Sequence, residues 1–209
     1  MCLNIPITVT DTRSLYVKLN EQILRRFREG MDAAVEAGIP ETTAMTLATC
    51  QAGQPSARTV LLKHVDPDGF VFYTNLESNK GRQLAENPRV ALVFWWRETE
   101  QQVKVEGRAE PVSAVEADEY FASRPRGSRI GAWASDQSRP LESREALRAR
   151  VQELEEEYRD REIPRPAHWS GFRVRPDMVE FWYGREYRLH ERIRFRAGEQ
   201  GWTSQLLFP

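Results

Sequence analysis

Four stretches of the sequence concentrate cationic, hydroxyl and aromatic side chains that suit a phosphorylated ligand. The first is RTVLLK, which carries a cation at each end of an apolar run. Side chains alternate between the two faces of a strand, so we predict one face with Arg58, Val60 and Leu62 and the other with Thr59, Leu61 and Lys63. The two cations could border a pocket or could be solvated edge charges, and spacing alone leaves both open.

The second stretch is YTNLESNK, in which a predicted strand ends and a short helix begins at Ser78. A helix N-terminus offers free N–H groups and the positive end of a dipole, which favour a phosphate. Lys80 in the first turn would add a full charge. The alternative is that Ser78 only caps the helix and Lys80 is solvated.

The third stretch, Ser123–Ser138, is predicted to be an irregular loop rich in arginine and serine. It contains Arg124, Arg126 and Arg129, with Ser128 between them. Guanidinium groups and hydroxyls bind phosphate oxygens well, and long loops often serve function. A mobile basic loop on the surface and a nucleic-acid contact remain alternatives.

The fourth stretch is FWYGREYRLHER, near the end of the sequence. If it continues as a strand, Arg188, His190 and Arg192 share one face and could contact an anionic or electron-rich ring. A hydrogen-bonded packing role for His190, and a core or interface role for Trp182, are the alternatives.

Composition limits the classes of function. The 209 residues include 30 Lys and Arg against 31 Asp and Glu, a net charge of −1, which disfavours a general nucleic-acid binder. Two cysteines without a CxxC pair, and three separated histidines, predict no metal site. The longest apolar run, Val90–Trp96, is far shorter than the roughly 20 residues that span a bilayer. No signal-peptide pattern is evident, so we expect a cytoplasmic protein without membrane partners.

The pattern of the remaining chain predicts a mainly β protein with flanking helices (α+β). We predict a single domain, with residues 1–40 as an N-terminal arm and helix packed on a barrel formed by residues 41–209. No dinucleotide or P-loop glycine motif is present. Helices are predicted at Ser14–Ala37, Ser78–Glu86, Ser113–Ala122 and Ser143–Arg161. Strands are predicted at Ala44–Cys50, Arg58–His64, Phe70–Thr74, Arg89–Trp96, Gln101–Glu110, Gly171–Arg175, Val179–Tyr183, Arg188–Arg196 and Trp202–Leu207.

Six motifs follow one another in the order RTVLLKH, FVFYTNLESNKG, QVKVEGRAE, YFASRPRGSRIGAWAS-x-QS, FW-x-G and RLHER. Together they resemble the pyridoxine/pyridoxamine 5′-phosphate oxidase family over about Ala44–Pro209. The resemblance implies an FMN-binding split β-barrel that works as a homodimer, with FMN at the subunit interface. It also implies oxidation of pyridoxine or pyridoxamine 5′-phosphate to pyridoxal 5′-phosphate, with oxygen as electron acceptor.

The resemblance also implies roles for individual residues. The FMN phosphate would meet Arg58 and Lys80, with Asn79 at a position where the family often has arginine. The rest of the cofactor site would comprise Thr59, Val60, Leu61, Leu62, Lys63, Tyr73, Thr74, Gln102, Gln137, Ser138, Trp182 and Arg192, partly from the other subunit. The substrate phosphate would meet Lys63, Tyr120, Arg124 and Ser128. Arg188 and His190 would lie over the pyridine ring as catalytic residues. An Arg-x-x-Tyr element of some members corresponds at most to Arg13 and Tyr16.

Two other functions remain open at this level. One is a flavin oxidase of the phenazine-biosynthesis type on the same fold, with which Asn79 is compatible. The other is a binder of FMN or pyridoxal phosphate without enzymatic activity, or an RNA-contacting protein that uses the Arg124–Arg129 segment.

Overall fold

A single antiparallel sheet forms the framework of the computed structural model, which describes residues 16–209. Its nine strands are β1 Ala44–Gln51, β2 Gln54–Leu61, β3 His64–Asp66, β4 Gly69–Asn75, β5 Arg89–Trp96, β6 Gln101–Pro111, β7 Trp169–Tyr183, β8 Glu191–Gly198 and β9 Gly201–Leu207. The strand order is β2-β1-β5-β6-β7-β4-β3, and β8 and β9 extend from β7. The first half of β7 therefore pairs with β4 and its second half with β8, so the sheet divides along one long strand.

Five helices cover the sheet across the described residues. They are α1 Glu21–Glu36, α2 Asn79–Glu86, α3 Ala114–Ser123, α4 Arg126–Ala134 and α5 Arg144–Glu157. Four begin at a side chain that accepts a hydrogen bond from the backbone N–H three residues on, namely Asn20, Ser78, Ser113 and Ser143. Such caps satisfy donors that the first turn of a helix leaves free. No helix in this range is long and apolar enough to cross a membrane.

Helix α1 closes one side of the main core. Its Phe27 is fully buried, with its ring centroid 5.2 Å from that of Phe70 and 5.1 Å from that of Phe94, both edge to face. Edge-to-face pairs at such distances add to the stabilisation that comes from burying the rings. The α1 helix is thus part of the barrel core.

A second, smaller core fixes the helices that follow β6. Phe121 of α3, Ile130 of α4, Ile163 and Trp169 form it, with Tyr73, Tyr120, Val151, Leu154 and Tyr158 packed around them. This cluster holds α3, α4 and α5 against the start of β7 and the end of β4. It therefore determines where the arginines and serines of Ser123–Ser138 lie.

Several predicted boundaries are wrong for reasons of tertiary contact. The first helix begins at Glu21, because the Leu19 N–H and the Tyr16 hydroxyl both donate to the Pro67 carbonyl, at 2.8 Å each. Ser14 and Leu15 lie outside the described residues. The predicted strand Arg58–His64 is in fact two strands, since β2 pairs with β1 and β3 pairs with β4. The tight turn at Asp66–Gly69 is confirmed as the hairpin between β3 and β4.

The crossing between β2 and β3 joins two parts of the sheet through consecutive residues. The Leu62 N–H donates to Thr43 O at 2.9 Å, and the Lys63 N–H donates to Val71 O at 2.8 Å. Since β2 and β3 lie at opposite ends of the strand order, this peptide segment closes the barrel.

The irregular loop predicted for Arg124–Ser138 is wrong, because residues 126–134 form α4. Ile130 and Ala134 lie one turn apart and are both buried, which stabilises the helix by packing. Gly127 and Gly131 lower the intrinsic helix propensity of the segment, so a helix was not predicted here from the sequence alone.

Three further predictions need correction near the end of the chain. The segments Gly171–Arg175 and Val179–Tyr183 form one strand, β7, with a register shift opposite Glu106 and Gly107. The charged helix α5 ends at Glu157 and not at Arg161. The strand predicted from Arg188 begins only at Glu191, because Tyr187 and Arg188 have left-handed backbones with φ of 56° and 62°. Arg188, His190 and Arg192 therefore do not share one strand face.

An ion pair between β3 and β7 should contribute measurably to stability. Arg173 Nη1 lies 2.7 Å from both carboxylate oxygens of Asp66, and the two side chains are 15% and 24% exposed. We expect Asp66→Asn to lower the free energy of unfolding by about 1.5–3 kcal/mol, as for a hydrogen bond to a charged group. Urea unfolding followed by circular dichroism measures this change.

The same pair gives a pH dependence with a defined sign. Burial alone raises the pKa of Asp66, but bonds from Arg173 and from the Asp68 N–H outweigh it, so the pKa lies below its ordinary value. The stabilisation is therefore present above the ordinary pKa of aspartate and is lost as pH falls through the lowered value. Asp177→Asn is the control, since its pair with Arg89 is exposed and should contribute at most about 1 kcal/mol. Equal losses in both variants would contradict the assignment.

Candidate active site

A cavity of about 470 Å³ lies where β2, β4 and the helices α2, α3 and α4 meet. Its size is typical of small-molecule sites, which span about 300–1,000 Å³. The predicted site residues that line it are Thr59, Val60, Leu61, Lys63, Tyr73, Thr74, Lys80, Tyr120, Arg124, Ser128 and Gln137. Three of the four stretches found in the sequence thus supply one cavity.

Lys80 forms a cationic centre at the start of α2. Its Nζ donates to Gln137 Oε1 at 2.8 Å, Thr74 Oγ1 at 3.2 Å and Ser78 Oγ at 3.3 Å. Burial, and then the positive charge of Arg58, lower the pKa of Lys80 below its ordinary value. Among the described residues no carboxylate pairs with this ammonium group, so its charge is balanced only by neutral oxygens.

Arg58 lies behind Lys80 and does not line the cavity. Its Nη1 donates to Thr49 Oγ1 at 2.7 Å and to Leu47 O at 3.2 Å, while Nη2 donates to Ser56 Oγ and Gln83 Oε1, both at 2.8 Å. Burial lowers the pKa of this guanidinium as well. Arg58 therefore adds positive charge at the Lys80 end while protein oxygens occupy its two terminal nitrogens.

Arg124 forms a second cationic centre, together with Lys63, Ser128 and Tyr120. Its Nη1 is buried and has no hydrogen-bond partner among residues 16–209. Burial lowers the pKa of the guanidinium, and the nearby Tyr120 phenol partly offsets this effect. Because Arg124 also lines the cavity, an anion bound there would offset the cost of burying its charge.

Aromatic rings form one wall of the cavity. The rings of Tyr73 and Tyr120 stack at 4.0 Å, and those of Tyr73 and Trp169 are nearly parallel at 5.3 Å. Burial, and then the charge of Glu116, raise the pKa of Tyr73 to about 12, and burial also raises that of Tyr120. Both phenols are therefore neutral donors at physiological pH.

The fourth stretch lies elsewhere on the same chain. Gln102, Trp182 and Arg192 are direct cross-strand partners on β6, β7 and β8, so they share one face of the sheet. His190 packs on Trp182 with ring centroids 4.5 Å apart. Neither these four residues nor Arg188 line the cavity of their own chain.

Arg192 and His190 are held in defined orientations. Buried Glu180 accepts from Arg192 Nε at 2.9 Å, and Phe208 O accepts from Arg192 Nη1 at 3.1 Å. The Arg185 N–H donates to His190 Nδ1 at 3.2 Å. In the neutral imidazole this bond leaves the proton on Nε2, so His190 presents a donor.

Four other candidates are placed outside the cavity. The side chain of Leu62 is buried in the main core, and Asn79 Oδ1 accepts from Arg82 Nη2 at 2.5 Å. Ser138, with φ of 71°, borders a neighbouring hollow of about 300 Å³. Tyr16 binds the β3–β4 turn, and Arg13 lies outside the described residues. The cofactor roles of Leu62, Asn79 and Ser138 stay predictions.

Sequence reasoning missed several residues of the site. Asn75, Ala132 and Trp169 line the cavity. Gln83 bonds Arg58 and could have been noticed, because it lies three residues after Lys80 and so on the same face of α2. Trp169 could not be recognised as a site residue from the sequence, because it contacts Tyr73 and Tyr120 only after β7 has paired with β4.

Two family models match this chain. Residues 31–158 match the model described as "Pyridoxamine 5'-phosphate oxidase", and residues 169–209 match "Pyridoxine 5'-phosphate oxidase C-terminal dimerisation region". The chain belongs to the pyridoxamine 5′-phosphate oxidase family. A "Pyridoxine/pyridoxamine 5'-phosphate oxidase" of Cyanothece sp. is 48% identical over 97% of this chain and 99% of its own length. One from Rubrobacter xylanophilus is 53% identical over 89% and 86%.

Solved structures agree with the family assignment. PhzG from Burkholderia lata, in complex with tetrahydrophenazine-1-carboxylic acid, has a TM-score of 0.85 at 33% identity and covers 90% of this chain and 92% of its own. An FMN-binding protein related to pyridoxamine 5′-phosphate oxidase, from Nostoc punctiforme, has a TM-score of 0.70 at 17% identity and supports the fold alone. The expected split β-barrel, an oxidoreductase activity and FMN as cofactor are confirmed at the level of the family. The C-terminal match supports a homodimer.

Proposed function

We propose that this member of the pyridoxamine 5′-phosphate oxidase family oxidises pyridoxine 5′-phosphate and pyridoxamine 5′-phosphate to pyridoxal 5′-phosphate, with oxygen as electron acceptor. One observation carries the proposal. A single cavity holds two groups of cations, Lys80 backed by Arg58, and Arg124 with Lys63, and the described carboxylates pair with none of them. FMN and the substrate each carry one phosphate, so the reaction requires two anion sites of this kind.

The Lys80 group fits the phosphate of FMN. Burial and the charge of Arg58 lower the pKa of the half-buried Lys80, and a phosphate dianion between α2 and Gln137 would oppose this effect. Lys80 also lies in the first turn of α2, where the positive end of the helix dipole favours a phosphate. When bound, FMN supplies the acceptor for the hydride that leaves the substrate.

The Arg124 group fits the phosphate of the substrate. Arg124 offers a donor without a partner, Lys63 adds a second charge, and the Ser128 and Tyr120 hydroxyls complete the set. Binding energy from the non-reacting phosphate holds the 4′ carbon in place for the reaction. The stacked rings of Tyr73 and Tyr120 exclude water along one wall.

We propose that the partner subunit completes each cavity. Trp182, Arg188, His190 and Arg192 lie within residues 169–209, the part that matches the dimerisation region. Large apolar side chains around them are exposed on the single chain, which suits an interface: Trp95, Leu189, Leu206 and Phe208. In this arrangement Gln102, Trp182 and Arg192 contact the cofactor bound in the other subunit. Arg188 and the Nε2–H of His190 orient the oxygen or nitrogen on the substrate's 4′ carbon.

FMN affinity is expected to weaken at alkaline pH. Only protonated Lys80 attracts the phosphate, and its pKa in the free protein is lowered by burial and Arg58. Affinity should therefore begin to fall at a pH below the ordinary lysine value of about 10.4, with a total loss of about 10- to 100-fold. The FMN phosphate stays a dianion throughout this range, because its second pKa is about 6.

Fluorescence titration of the apoprotein with FMN at a series of pH values measures the dependence of affinity on pH, and Lys80→Met should remove most of that dependence. A slope that persists in Lys80→Met contradicts the assignment.

A visible spectrum tests the proposed reaction directly. The purified protein should show a flavin band that bleaches when pyridoxine 5′-phosphate is added without oxygen. Admitting oxygen should restore the band and produce hydrogen peroxide and pyridoxal 5′-phosphate. If the band does not bleach with either the pyridoxine or the pyridoxamine phosphate, the proposed function is wrong.

The similarity to PhzG favours one alternative, oxidation of a reduced phenazine. The ligand of that complex carries a carboxylate, which has fewer oxygens and less charge than a phosphate dianion, so the set of Lys63, Tyr120 and Ser128 beside Arg124 favours the phosphate ester. Bleaching by a dihydrophenazine, with no response to the vitamer phosphates, would select the alternative.

A further inference from the structure

Arg124 is held by aromatic rings. Its Cζ lies 4.7 Å from the centroid of the Trp169 ring and 5.5 Å from that of Phe121. Trp169 is only 6% exposed, so the contact is largely shielded from water. A cation over the face of a tryptophan is attracted by the ring's quadrupole, and more strongly where water is excluded.

Three other partly buried arginines of this chain are held by carboxylates instead. Arg173 pairs with Asp66, Arg192 with Glu180, and Arg165 with Asp118. A carboxylate neutralises the guanidinium and occupies its N–H groups. A ring face does neither, because it carries no net charge and no carboxylate oxygen, and Arg124 Nη1 has no hydrogen-bond partner among the described residues.

Trp169 is itself fixed. Its ring is nearly parallel to that of Tyr73, with an angle of 8° between the planes, and it meets Phe121 edge to face at 5.1 Å. Its carbonyl accepts from Arg165 Nη1 at 2.7 Å, and it pairs with Asn75 across β4 and β7. The ring therefore lies on a rigid part of the sheet and can define where the guanidinium sits.

We propose that Trp169 is a positioning residue for phosphate recognition: its ring holds the Arg124 guanidinium in place and leaves the N–H groups free for the phosphate of the substrate. This inference rests on the proposed function. It adds a residue outside the four stretches of the sequence, and it assigns that residue an effect on the phosphate of the substrate alone. Loss of the ring should weaken binding of the substrate's phosphate while leaving the phosphate of FMN bound at Lys80.

A double-mutant cycle separates this role from a general effect on folding. The variants are Trp169→Leu, Arg124→Ala and the two combined, each as the FMN-loaded protein. The measurements are the dissociation constant of pyridoxal 5′-phosphate by calorimetry and the competitive inhibition constant of inorganic phosphate. We expect Trp169→Leu to weaken both by about 10- to 30-fold in the wild-type background, the size of a desolvated cation–π contact. In the Arg124→Ala background the same change should have less than about a twofold effect.

Two further variants test whether the effect of Trp169→Leu comes from lost packing and not from the lost cation–π contact. Trp169→Phe keeps an aromatic face and should recover most of the affinity that Trp169→Leu loses. Trp133→Leu removes a tryptophan from the same small core, where Trp133 packs near Tyr158 and His168 and not on Arg124, and should leave phosphate affinity unchanged.

The outcomes distinguish two failures. If the wild-type protein binds neither ligand, the proposed function fails, and this inference with it. If the wild type binds and Arg124→Ala weakens binding, but Trp169→Leu acts equally in both backgrounds, only the inference is overturned. The same holds if Trp169→Phe is as impaired as Trp169→Leu.

Discussion

Replacing Arg124 with alanine is expected to raise the KM for pyridoxine 5′-phosphate about 100-fold, with a much smaller change in kcat. The guanidinium is half-buried, its Nη1 has no partner in the described chain, and it lines the proposed substrate cavity. Removing one member of a desolvated charge pair costs about 2–5 kcal/mol, and 100-fold lies within this range. The loss falls mainly on KM because the phosphate is remote from the reacting carbon and is bound alike before and during the reaction.

Arg126→Ala is the matched control. Arg126 belongs to the same segment but is exposed, and its Nη2 donates to Tyr158 O at 2.7 Å, outside the cavity. The KM of the Arg126→Ala variant for pyridoxine 5′-phosphate should stay within about twofold of the wild-type value, as is usual for a surface substitution. If Arg124→Ala and Arg126→Ala behave alike in steady-state assays, Arg124 does not bind the substrate.

Combining two impaired variants in one dimer should restore kcat/KM if the site is shared between subunits. Arg124→Ala damages the cavity, whereas Arg188→Asn damages the turn before β8, which lies outside that cavity in its own chain. Asparagine is chosen because Arg188 has φ of 62°, a conformation that asparagine tolerates. Each variant alone should lose at least about 100-fold in kcat/KM, since both of its sites carry the lesion.

A heterodimer of the two variants has one site with both lesions and one with none. After co-expression with random pairing, about half of the dimers are mixed, so the preparation should recover about one quarter of wild-type activity. Heterodimers isolated with two different affinity tags should reach about one half. Heterodimers as inactive as the parents would show that each chain builds its site alone.

Features of the fold that depend on only a few neighbouring residues, such as helix caps, were the most predictable from the sequence. Ser78, Ser113 and Ser143 were each expected at the start of a helix, and each caps one, because an N-cap needs only its own next three residues. Strand β5 was located at Arg89–Trp96 without error for a similar reason, since its alternating apolar pattern is local.

The errors arose where distant contacts decide the conformation. The segment containing Gly127 and Gly131 has weak helix propensity, and it forms α4 because Ile130 packs in the small core. The turn at Tyr187 and Arg188 interrupts what local pattern alone suggested was a strand. Both cases show tertiary packing and backbone geometry overriding propensity.

The candidate site was likewise predictable from the sequence only in part. The residue types that bind phosphate were visible from their clustering, and three of the four clusters do meet in one cavity. The aromatic support under Arg124 was not visible, because Trp169 is 45 residues further along the chain and meets Arg124 through the start of β7. Nor was the buried Glu180 that orients Arg192, since strand pairing alone brings these two together.

The crossing at Leu62 and Lys63 has a consequence for how the barrel opens. The Leu62 N–H is hydrogen-bonded to Thr43 O, and the Lys63 N–H is hydrogen-bonded to Val71 O. The barrel can therefore open at this point only if one of these two hydrogen bonds breaks. An anion held by the Lys63 side chain would resist that opening. Amide hydrogen exchange at these two positions should therefore slow when ligand binds, even though neither N–H touches it.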